Sequence, residues 1–246
     1  MRAAVPVVVS DTCPPQALLD SIAAVGAAPA LFFGQEFAAQ SSGDQWQGML
    51  REVNGSERKL EPLAAGGLLP QNICAALQAV VLLGVDFTNQ QLQNALAGLS
   101  VTGRRQLLQT GQCELVLDVA HNPAAVNKLV EYLSLTPCNG RVISVFSVMA
   151  DKDIRGMAEA AAGHFDAWCL ADQPHNHRAA KASDVAQALR DAGQEMISIS
   201  KNLRQAYRRA QSLAAPGDRV VVFGSFYTVA DVLPLLQQEQ NKYEVQ

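Results

Sequence analysis

The sequence lacks the marks of a disulfide-stabilised or membrane-spanning protein. Its five cysteines are an odd number and form no C-x-x-C pair, which predicts reduced and mostly buried thiols, with a catalytic cysteine as a minor alternative. No apolar run is long enough to cross a bilayer, and the apolar stretch at the N-terminus is too short for a signal peptide. We therefore expect a soluble cytoplasmic protein with no membrane partner.

A large excess of positive charge is also missing. The chain has 19 Lys and Arg against 23 Asp and Glu, and the basic residues are scattered along it. The one cluster, RQAYRR at 204–209, has the pattern of the exposed face of a helix. These features argue against a protein that binds nucleic acid or an anionic membrane.

Two phosphate-binding motifs are absent as well. Neither G-x-x-x-x-G-K-[ST] nor G-x-G-x-x-G occurs anywhere in the sequence. The chain therefore has no phosphate-cradling loop of its own, and an oxidoreductase with a Rossmann dinucleotide site is disfavoured. Failure to bind a nicotinamide cofactor would exclude that alternative.

What is present is an ordinary globular composition. Of 246 residues, 49% are hydrophobic and 17% are charged, which is enough for one large domain or two modest ones. Up to about residue 100 the pattern predicts two strands with a helix between them, then short antiparallel strands and two helices. The predicted segments are 5–9, 14–27, 30–34, 38–68, 71–84 and 88–100, with Thr88 as the N-cap of the last helix.

A change of pattern at 100–105 predicts a boundary between a first domain at 1–101 and a second at 102–246. Beyond it, strands alternate with helices, which predicts an α/β fold with a Rossmann-like, mostly parallel sheet and helices on both faces. The predicted strands are 113–119, 141–147, 166–171, 196–199 and 219–223, and the predicted helices are 123–133, 153–163, 183–192, 202–214 and 226–237. Ligands of such sheets bind at the carboxyl ends of the strands.

The first candidate stretch at those ends is LVLDVAHNP at 115–123. Asn122 can cap the following helix and Pro123 suits its first turn, but helix initiation explains neither Asp118 nor His121. A carboxylate at the carboxyl end of a strand could accept hydrogen bonds from a ribose. With about equal weight, Asp118 could accept only backbone N–H bonds, as buried polar groups usually do.

Three further stretches follow predicted strands and have simpler explanations. In DKD at 151–153, Asp153 could cap the next helix, and charged triplets in loops are usually solvated. The loop at 171–181 lacks metal-ligand spacing, and its arginine could pair with a carboxylate or a phosphate; it carries His175, His177 and Arg178. The Gly-Ser pair that ends at Ser225 suits anion binding at a helix N-terminus, although Ser225 as an ordinary cap is favoured without further context.

Taken in series, these segments resemble the C-terminal half of the bifunctional folylpolyglutamate synthase/dihydrofolate synthase family, relatives of the Mur ligases. The resemblance covers nearly the whole chain, and LDVAHNP, DKD and GSF in this order are specific to it. The matching segments are PQN at 70–72, TGR at 102–104, LDVAHNP at 117–123, DKD at 151–153, Arg178 with Ala179, and FGSFYTVADVL at 223–233.

The resemblance implies an ATP-dependent ligase. ATP phosphorylates a carboxylate of dihydropteroate or a folate, and the amine of L-glutamate attacks the acyl phosphate. By position, the nucleotide would contact Asn72, Arg104 and Asp118, and the substrate would contact His121, Ser225 and Arg178. The candidate catalytic residues near the reacting groups would be Lys152, Asp153 and His121.

The match also has departures. Thr102 stands where proline is usual, Arg105 where an aromatic is common, and Ser147 where glycine is frequent. The half of the family that carries the P-loop and the Mg²⁺ ligands is not matched, so residues 1–101 are expected to be the tail of an ATPase domain. We expect no metal ligands in this chain, no activity of the chain alone, and a monomer. The alternative is a diverged, non-catalytic module that binds a nucleotide or a protein.

Overall fold

The structure of the protein is a computed structural model that describes residues 1–42, 45–64, 67–110 and 113–243, the last seven of these as backbone only. The chain divides into two compact units, residues 1–100 and residues 101–246. No helix among the described residues is both long and apolar enough to cross a membrane. The cytoplasmic location stays a prediction.

The first unit contains a parallel strand pair and an antiparallel sheet. Its elements are β1 (Val7–Val9), α1 (Gln16–Val25), β2 (Ala30–Phe32), β3 (Ala38–Ser42), β4 (Gln45–Arg51), β5 (Glu57–Ala64), α2 (Pro70–Leu82) and α3 (Asn89–Leu96). β1 pairs with β2 in parallel, and β4 lies between β3 and β5 in the antiparallel sheet. The antiparallel strands are those that the sequence predicts within 38–68. Four residues of the predicted 38–68 segment lie outside the described residues: Gly43, Asp44, Ala65 and Gly66.

Helix ends in this unit follow local sequence signals. α1 ends at Gly26, which adopts a left-handed φ of 67°. α3 begins after Thr88, whose hydroxyl accepts a hydrogen bond from the backbone N–H of Gln91. The side chain of Gln91 in turn accepts one from the backbone N–H of Thr88. The predicted N-cap is therefore confirmed.

The main core of the first unit lies between the antiparallel sheet and α2. Trp46 and Leu50 of β4 are buried against Ile73 and Cys74 of α2. Full burial of a large apolar side chain stabilises a fold by about 2 kcal/mol. This unit therefore has a core of its own.

The second unit is built on one sheet. Its elements are β6 (Gln106–Thr110), β7 (Cys113–Leu117), α4 (Pro123–Leu135), β8 (Val142–Phe146), α5 (Ile154–Ala160), β9 (Ala167–Ala171), α6 (Ala182–Asp191), β10 (Ile197–Ser200), α7 (Leu203–Leu213), β11 (Arg219–Phe223) and α8 (Phe226–Tyr243). The strand order is β10-β9-β8-β11-β7-β6, and each neighbouring pair is parallel except β6 and β7. The predicted mostly parallel α/β sheet is confirmed.

Alternate residues of these strands point into two different cores. Val116 and Val221 pack on the side of α4, α5 and α6. Leu117 and Val222 pack on the side of α7 and α8. Because successive side chains of a strand point to opposite faces, a sheet covered on both faces requires apolar residues at every position. This explains the continuous apolar runs in the sequence.

One strand of this sheet, β6, is not predicted from the sequence. Its residues alternate in exposure, and Leu107 is 45% exposed, as expected for an edge strand. The sequence pattern at 100–105 indicated only a domain boundary. The mixture of polar and apolar residues after it lacks the continuous apolar run of a buried strand. α8 also continues to Tyr243, beyond the predicted end at 237.

The cysteines differ from the prediction of mostly buried thiols. Only Cys74 and Cys169 are buried, Cys113 and Cys138 are half-buried, and Cys13 is exposed. None of the five, all of which lie in the described part of the chain, forms a disulfide. Burial raises the pKa of the Cys74 thiol to about 12, so this residue packs as an inert apolar group.

Candidate functional site

The carboxyl edge of the six-stranded sheet gathers most of the candidate residues. Asp118 follows β7, Ser147 follows β8 and Gly224 follows β11. Because β11 pairs with both β7 and β8, the turns after these three strands are neighbours. The first residues of α4, α5 and α8 therefore lie at one edge of the sheet.

Asp118 is buried, with 8% of its surface exposed, and both carboxylate oxygens accept backbone hydrogen bonds. Oδ2 accepts from the N–H of Arg105 at 2.9 Å and Oδ1 from the N–H of Ala120 at 2.7 Å. Burial raises the pKa of Asp118, and these donors together with the charges of Arg104 and Arg105 offset part of the rise. This geometry agrees with the simpler alternative, in which the Asp118 carboxylate accepts hydrogen bonds from backbone N–H groups. A ribose contact stays a prediction.

His121 presents one ring nitrogen for further contacts. Its half-buried ring places Nδ1 2.7 Å from the carbonyl oxygen of Val119. A carbonyl oxygen only accepts, so Nδ1 carries the proton and Nε2 is left as an acceptor in the neutral ring. Asn122 caps α4 by accepting from the N–H of Ala125 at 2.8 Å, and Pro123 is the first helical residue. The predicted helix start is therefore confirmed.

Lys152 and Arg178 meet at a shared carboxylate, Asp151. Lys152 Nζ lies 2.8 Å from Oδ2 and Arg178 Nη2 lies 3.4 Å from Oδ1. The hydrogen bond from Lys152 lowers the pKa of Asp151. The two loops are also joined by the N–H of Ala150, which donates to the carbonyl oxygen of Arg178 at 2.8 Å. The structure thus brings two of the predicted site residues together through Asp151.

Two other candidate side chains serve as helix caps. The carboxylate of Asp153 accepts from the N–H of Gly156 at 2.9 Å at the start of α5. The hydroxyl of Ser225 accepts from the N–H of Thr228 at 3.0 Å at the start of α8. The capping interpretation is confirmed for both residues, and a role of either in catalysis or substrate binding stays a prediction.

A buried hydrogen-bond network joins the ends of three strands. Thr228 Oγ1 donates to the carbonyl oxygen of Ser147 at 2.6 Å, so the hydroxyl of Ser225 is the donor in its 2.7 Å contact with Thr228. The hydroxyl of Ser147 donates to the carbonyl oxygen of Ala171 at 2.9 Å and accepts from Gln173 Nε2 at 3.0 Å. The network fixes the turns after β8, β9 and β11 relative to one another.

The remaining predicted nucleotide contacts differ in position. Arg104 is exposed, and its guanidinium carbon lies 5.2 Å from the centre of the Phe226 ring. Asn72 lies in the first turn of α2 in the first unit, with an exposed side chain. The structure therefore brings Arg104 and Asp118 into one region of the second unit, while Asn72 belongs to the other unit.

A cleft of about 760 Å³ opens beside this edge, at the ends of β9 and β10. The loop after β9, the first turn of α7 and the first turns of α8 form its walls. Its charged and titratable lining residues are Asp172, His175, His177, Arg178, Arg204, Tyr227 and Asp231. Asp172 is engaged by the N–H of Ala182 at 2.8 Å, and Arg178 and Arg204 are the permanently charged cations of the lining. The cleft suits a ligand that carries carboxylates or phosphates.

Three of these cleft residues were missed in the sequence: Arg204, Tyr227 and Asp231. Arg204 was read only as part of an exposed helix face, and Tyr227 and Asp231 follow Ser225 in the last motif. Only the packing of α7 beside α8 turns them toward the loop after β9. No spacing in the sequence could have indicated this, because Arg204 lies 26 positions after Arg178 and 23 positions before Tyr227.

The site contains groups for binding anions but no group of metal ligands. Within residues 1–42, 45–64, 67–110 and 113–243, no cluster of three or more His, Cys, Asp or Glu side chains could hold a metal ion. Each oxygen of Asp118 uses one lone pair for a backbone donor, so each retains an acceptor position. The exposed Arg104 nearby offers a permanently charged donor group.

The second unit matches a known family of protein domains. Residues 103–226 match the family described as Mur ligase, glutamate ligase domain. Among curated relatives, the dihydrofolate synthase/folylpolyglutamate synthase of Escherichia coli (strain K12) is 31% identical over 175 residues, which cover 71% of this chain and 40% of the relative. The Haemophilus influenzae protein of the same name is 26% identical, over 92% of this chain and 54% of the relative.

The chain also resembles solved structures of other proteins. E. coli FolC in complex with DHPP and ADP aligns with a TM-score of 0.83 and 27% identity, covering 97% of this chain and 55% of that chain. A bifunctional folylpolyglutamate synthase/dihydrofolate synthase with Mn, AMPPNP and L-glutamate bound aligns with a TM-score of 0.81 and 29% identity, covering 96% and 54%. The chain thus spans about half the length of the relatives that it matches.

Proposed function

Because the chain belongs to the family of Mur ligase glutamate ligase domains, we propose that it is part of an ATP-dependent ligase that joins L-glutamate to dihydropteroate, to folates, or to both. The matched relatives are named for these two synthase activities. The observation that carries the proposal is the carboxyl edge of the sheet, where neighbouring turns contain Asp118, His121, Lys152 and Ser225.

The nucleotide is assigned to the region of Asp118 and Arg104. The free acceptor positions of Asp118 suit ribose hydroxyls, and the guanidinium of Arg104 suits phosphate oxygens. Solved relatives that contain ADP or AMPPNP support this assignment. Asn72 is the proposed contact from the first unit.

The incoming glutamate is assigned to the edge between His121, Ser225 and the 760 Å³ cleft that Arg178 lines. Nε2 of His121 is an acceptor for the amine, and Arg178 is a cation for a carboxylate. A related solved structure contains L-glutamate, which supports a glutamate site in this family. Because Ser225 already makes two hydrogen bonds, its proposed contact would have to use its remaining lone pair.

In the proposed reaction, ATP supplies the phosphoryl group that activates the acceptor carboxylate. The amine of glutamate then attacks the acyl carbon, and phosphate leaves. The side chains of this chain would hold two anionic partners together and offset the charge that develops on their oxygens. Lys152 is the proposed cation near the reacting groups, and Asp153 orients the start of α5 beside it.

We assign the Mg²⁺ ligands to the part of the relatives that this chain does not match, because the chain spans only about half of their length. For the same reason residues 1–101 are proposed to be the closing part of an ATPase domain, residues 102–246 the glutamate ligase domain, and the chain alone inactive. A monomer is proposed.

A complementation assay tests the proposal. The purified chain is mixed with the separately expressed remainder of the E. coli relative, and ADP release that depends on ATP, glutamate and dihydropteroate or a folate is followed. Asp118→Ala and His121→Ala should abolish most of the turnover. The matched controls are Asp191→Ala and His164→Ala, both exposed and outside the site.

Turnover that requires both polypeptides and disappears only in the site variants would support the ligase. Absence of turnover from two polypeptides that are shown to associate would instead favour a diverged binding module. Comparison of dihydropteroate with a folate in the same assay identifies the acceptor.

A further inference from the structure

Phe226 is an exposed aromatic residue at the carboxyl edge of the six-stranded sheet. It is the first residue of α8, and 58% of its surface is exposed. Its ring centre lies 5.2 Å from the guanidinium carbon of Arg104, within the range of a cation–π contact. Phe226 was not singled out among the candidate residues of the sequence, although it belongs to the last motif.

The group that contacts the guanidinium of Arg104 decides whether its N–H donors are available to bind an anion. No ion pair between described residues includes Arg104, and its guanidinium contacts the Phe226 ring. A carboxylate partner would occupy the N–H donors of an arginine. A cation–π contact with a ring provides no hydrogen-bond acceptor oxygen, so the N–H donors of the guanidinium remain available for an anion.

Both backbones that carry this pair are held in place. On one side, Ser225 and Thr228 fix the first turn of α8 to the carbonyl oxygen of Ser147. On the other side, Gly103 has a φ of 71° and packs so closely that an added Cβ would lie 2.9 Å from Cγ1 of Val119. The arginine side chain has more rotatable bonds than the phenylalanine side chain, so it is the more flexible member of the pair.

From this geometry we propose that Phe226 is a positioning residue that holds the guanidinium of Arg104 ready for the phosphates of a nucleoside diphosphate. The inference rests on the proposed nucleotide role of Arg104 and goes beyond it, because it names the residue that sets the orientation of the arginine. Cation–π contacts at exposed sites correspond to about a two- to fivefold change in affinity.

The test measures binding of ADP and of adenosine to the purified chain by NMR titration. Phe226→Leu should weaken ADP binding about two- to fivefold and leave adenosine binding unchanged, because adenosine has no phosphate. Phe226→Tyr, which keeps the ring, should restore the affinity for ADP. Leu135→Ala, a change of an exposed apolar residue at the end of α4, is the control and should have no effect.

A double-mutant cycle separates this inference from the proposed function. Arg104→Ala should weaken ADP binding, and Phe226→Leu should have no further effect when it is added to Arg104→Ala. If Arg104→Ala weakens ADP binding and Phe226→Leu does not, the positioning role is wrong and the nucleotide role of Arg104 stands. If Arg104→Ala has no effect on the affinity for ADP, the nucleotide role is wrong and the positioning role with it.

The resonance of the Arg104 side-chain N–H gives a readout that does not depend on the ligand. A guanidinium over a ring should show an upfield ring-current shift in the wild-type chain and in Phe226→Tyr, and this shift should disappear in Phe226→Leu. An unchanged resonance in Phe226→Leu would overturn the cation–π contact on which the proposal rests.

Discussion

At the scale of single residues, Asp118 combines burial with hydrogen bonds that favour its charged form. Burial has the larger effect and raises the pKa of the carboxyl above its ordinary value of 3.8, while the N–H groups of Arg105 and Ala120 act in the opposite direction. The folded protein therefore binds this proton more tightly than the unfolded chain does. The contribution of Asp118 to the free energy of unfolding should fall as the pH rises from about 3.8 through the raised pKa, and stay constant above it.

Asp118→Asn measures whether the contribution of Asp118 to the free energy of unfolding falls as the pH rises. The variant keeps one acceptor oxygen and leaves one buried N–H without a partner, which should cost about 1 to 3 kcal/mol. Urea unfolding of both proteins between pH 3 and 8, roughly the span around the carboxyl pKa, should show the stability advantage of the wild type shrinking as the pH rises. An advantage that grows with pH across the acid range would contradict the raised pKa.

Gly224 is a second residue whose identity follows from its surroundings. Its φ is 116°, and an added Cβ would collide with the carbonyl oxygen of Ser147 and lie 2.8 Å from the Phe146 ring. Gly224→Ala should therefore lower the free energy of unfolding by about 3 kcal/mol, from backbone strain and overpacking together. Gly163→Ala is the matched control, because Gly163 has a φ of 75° with no atom within 4 Å of the added Cβ.

Gly163→Ala should lower the free energy of unfolding by only about 1 kcal/mol, which is the strain of a residue with left-handed backbone angles. Denaturant unfolding of the two variants gives the comparison. Equal losses would mean that the close approach of Gly224 to the end of β8 does not constrain the turn.

At the scale of elements, Asp153 tests whether a predicted catalytic residue acts through its helix. Its carboxylate caps α5 by accepting from the N–H of Gly156. Asp153→Ala should cost about 1 kcal/mol of stability, and Asp153→Asn, which retains a good cap, should cost less than about 0.5 kcal/mol. Thermal unfolding of the purified variants measures both.

In the complementation assay, the same two variants show whether Asp153 only caps α5 or also takes part in the reaction. If capping is the whole role of Asp153, Asp153→Asn should keep the wild-type turnover. If turnover falls in Asp153→Asn while the stability does not, the charge of the carboxylate takes part in the reaction.

How far the sequence predicts these elements depends on where each one lies. The buried strands β7, β8, β9 and β11 are readable because both faces of the sheet are covered, so nearly every position is apolar. The edge strand β6 has exposed alternate residues and no such signal. The site follows the same rule: local motifs indicated Asp118 and Ser225, but Arg204 enters the cleft only through the packing of α7, which no local pattern records.

At the scale of the whole molecule, the second unit contains everything that its sheet requires. α4, α5 and α6 cover one face, and α7 and α8 cover the other. Near the amino ends of the strands, the buried Arg219 forms an ion pair with Glu114 and bonds to the carbonyl oxygen of Thr136. These contacts all lie within residues 101–246.

We therefore expect residues 101–246, expressed alone, to fold cooperatively with a free energy of unfolding of about 5 kcal/mol or more. Leu129→Ala, at a position that is 1% exposed, should cost about 3 kcal/mol in this segment and the same amount in the full chain. Leu135→Ala, where 76% of the side chain is exposed, should cost little in either. Urea unfolding and NMR dispersion provide the measurements. A segment with helical circular dichroism but poorly dispersed resonances, or a Leu129→Ala cost that differs between the two proteins, would show that this core depends on residues 1–100.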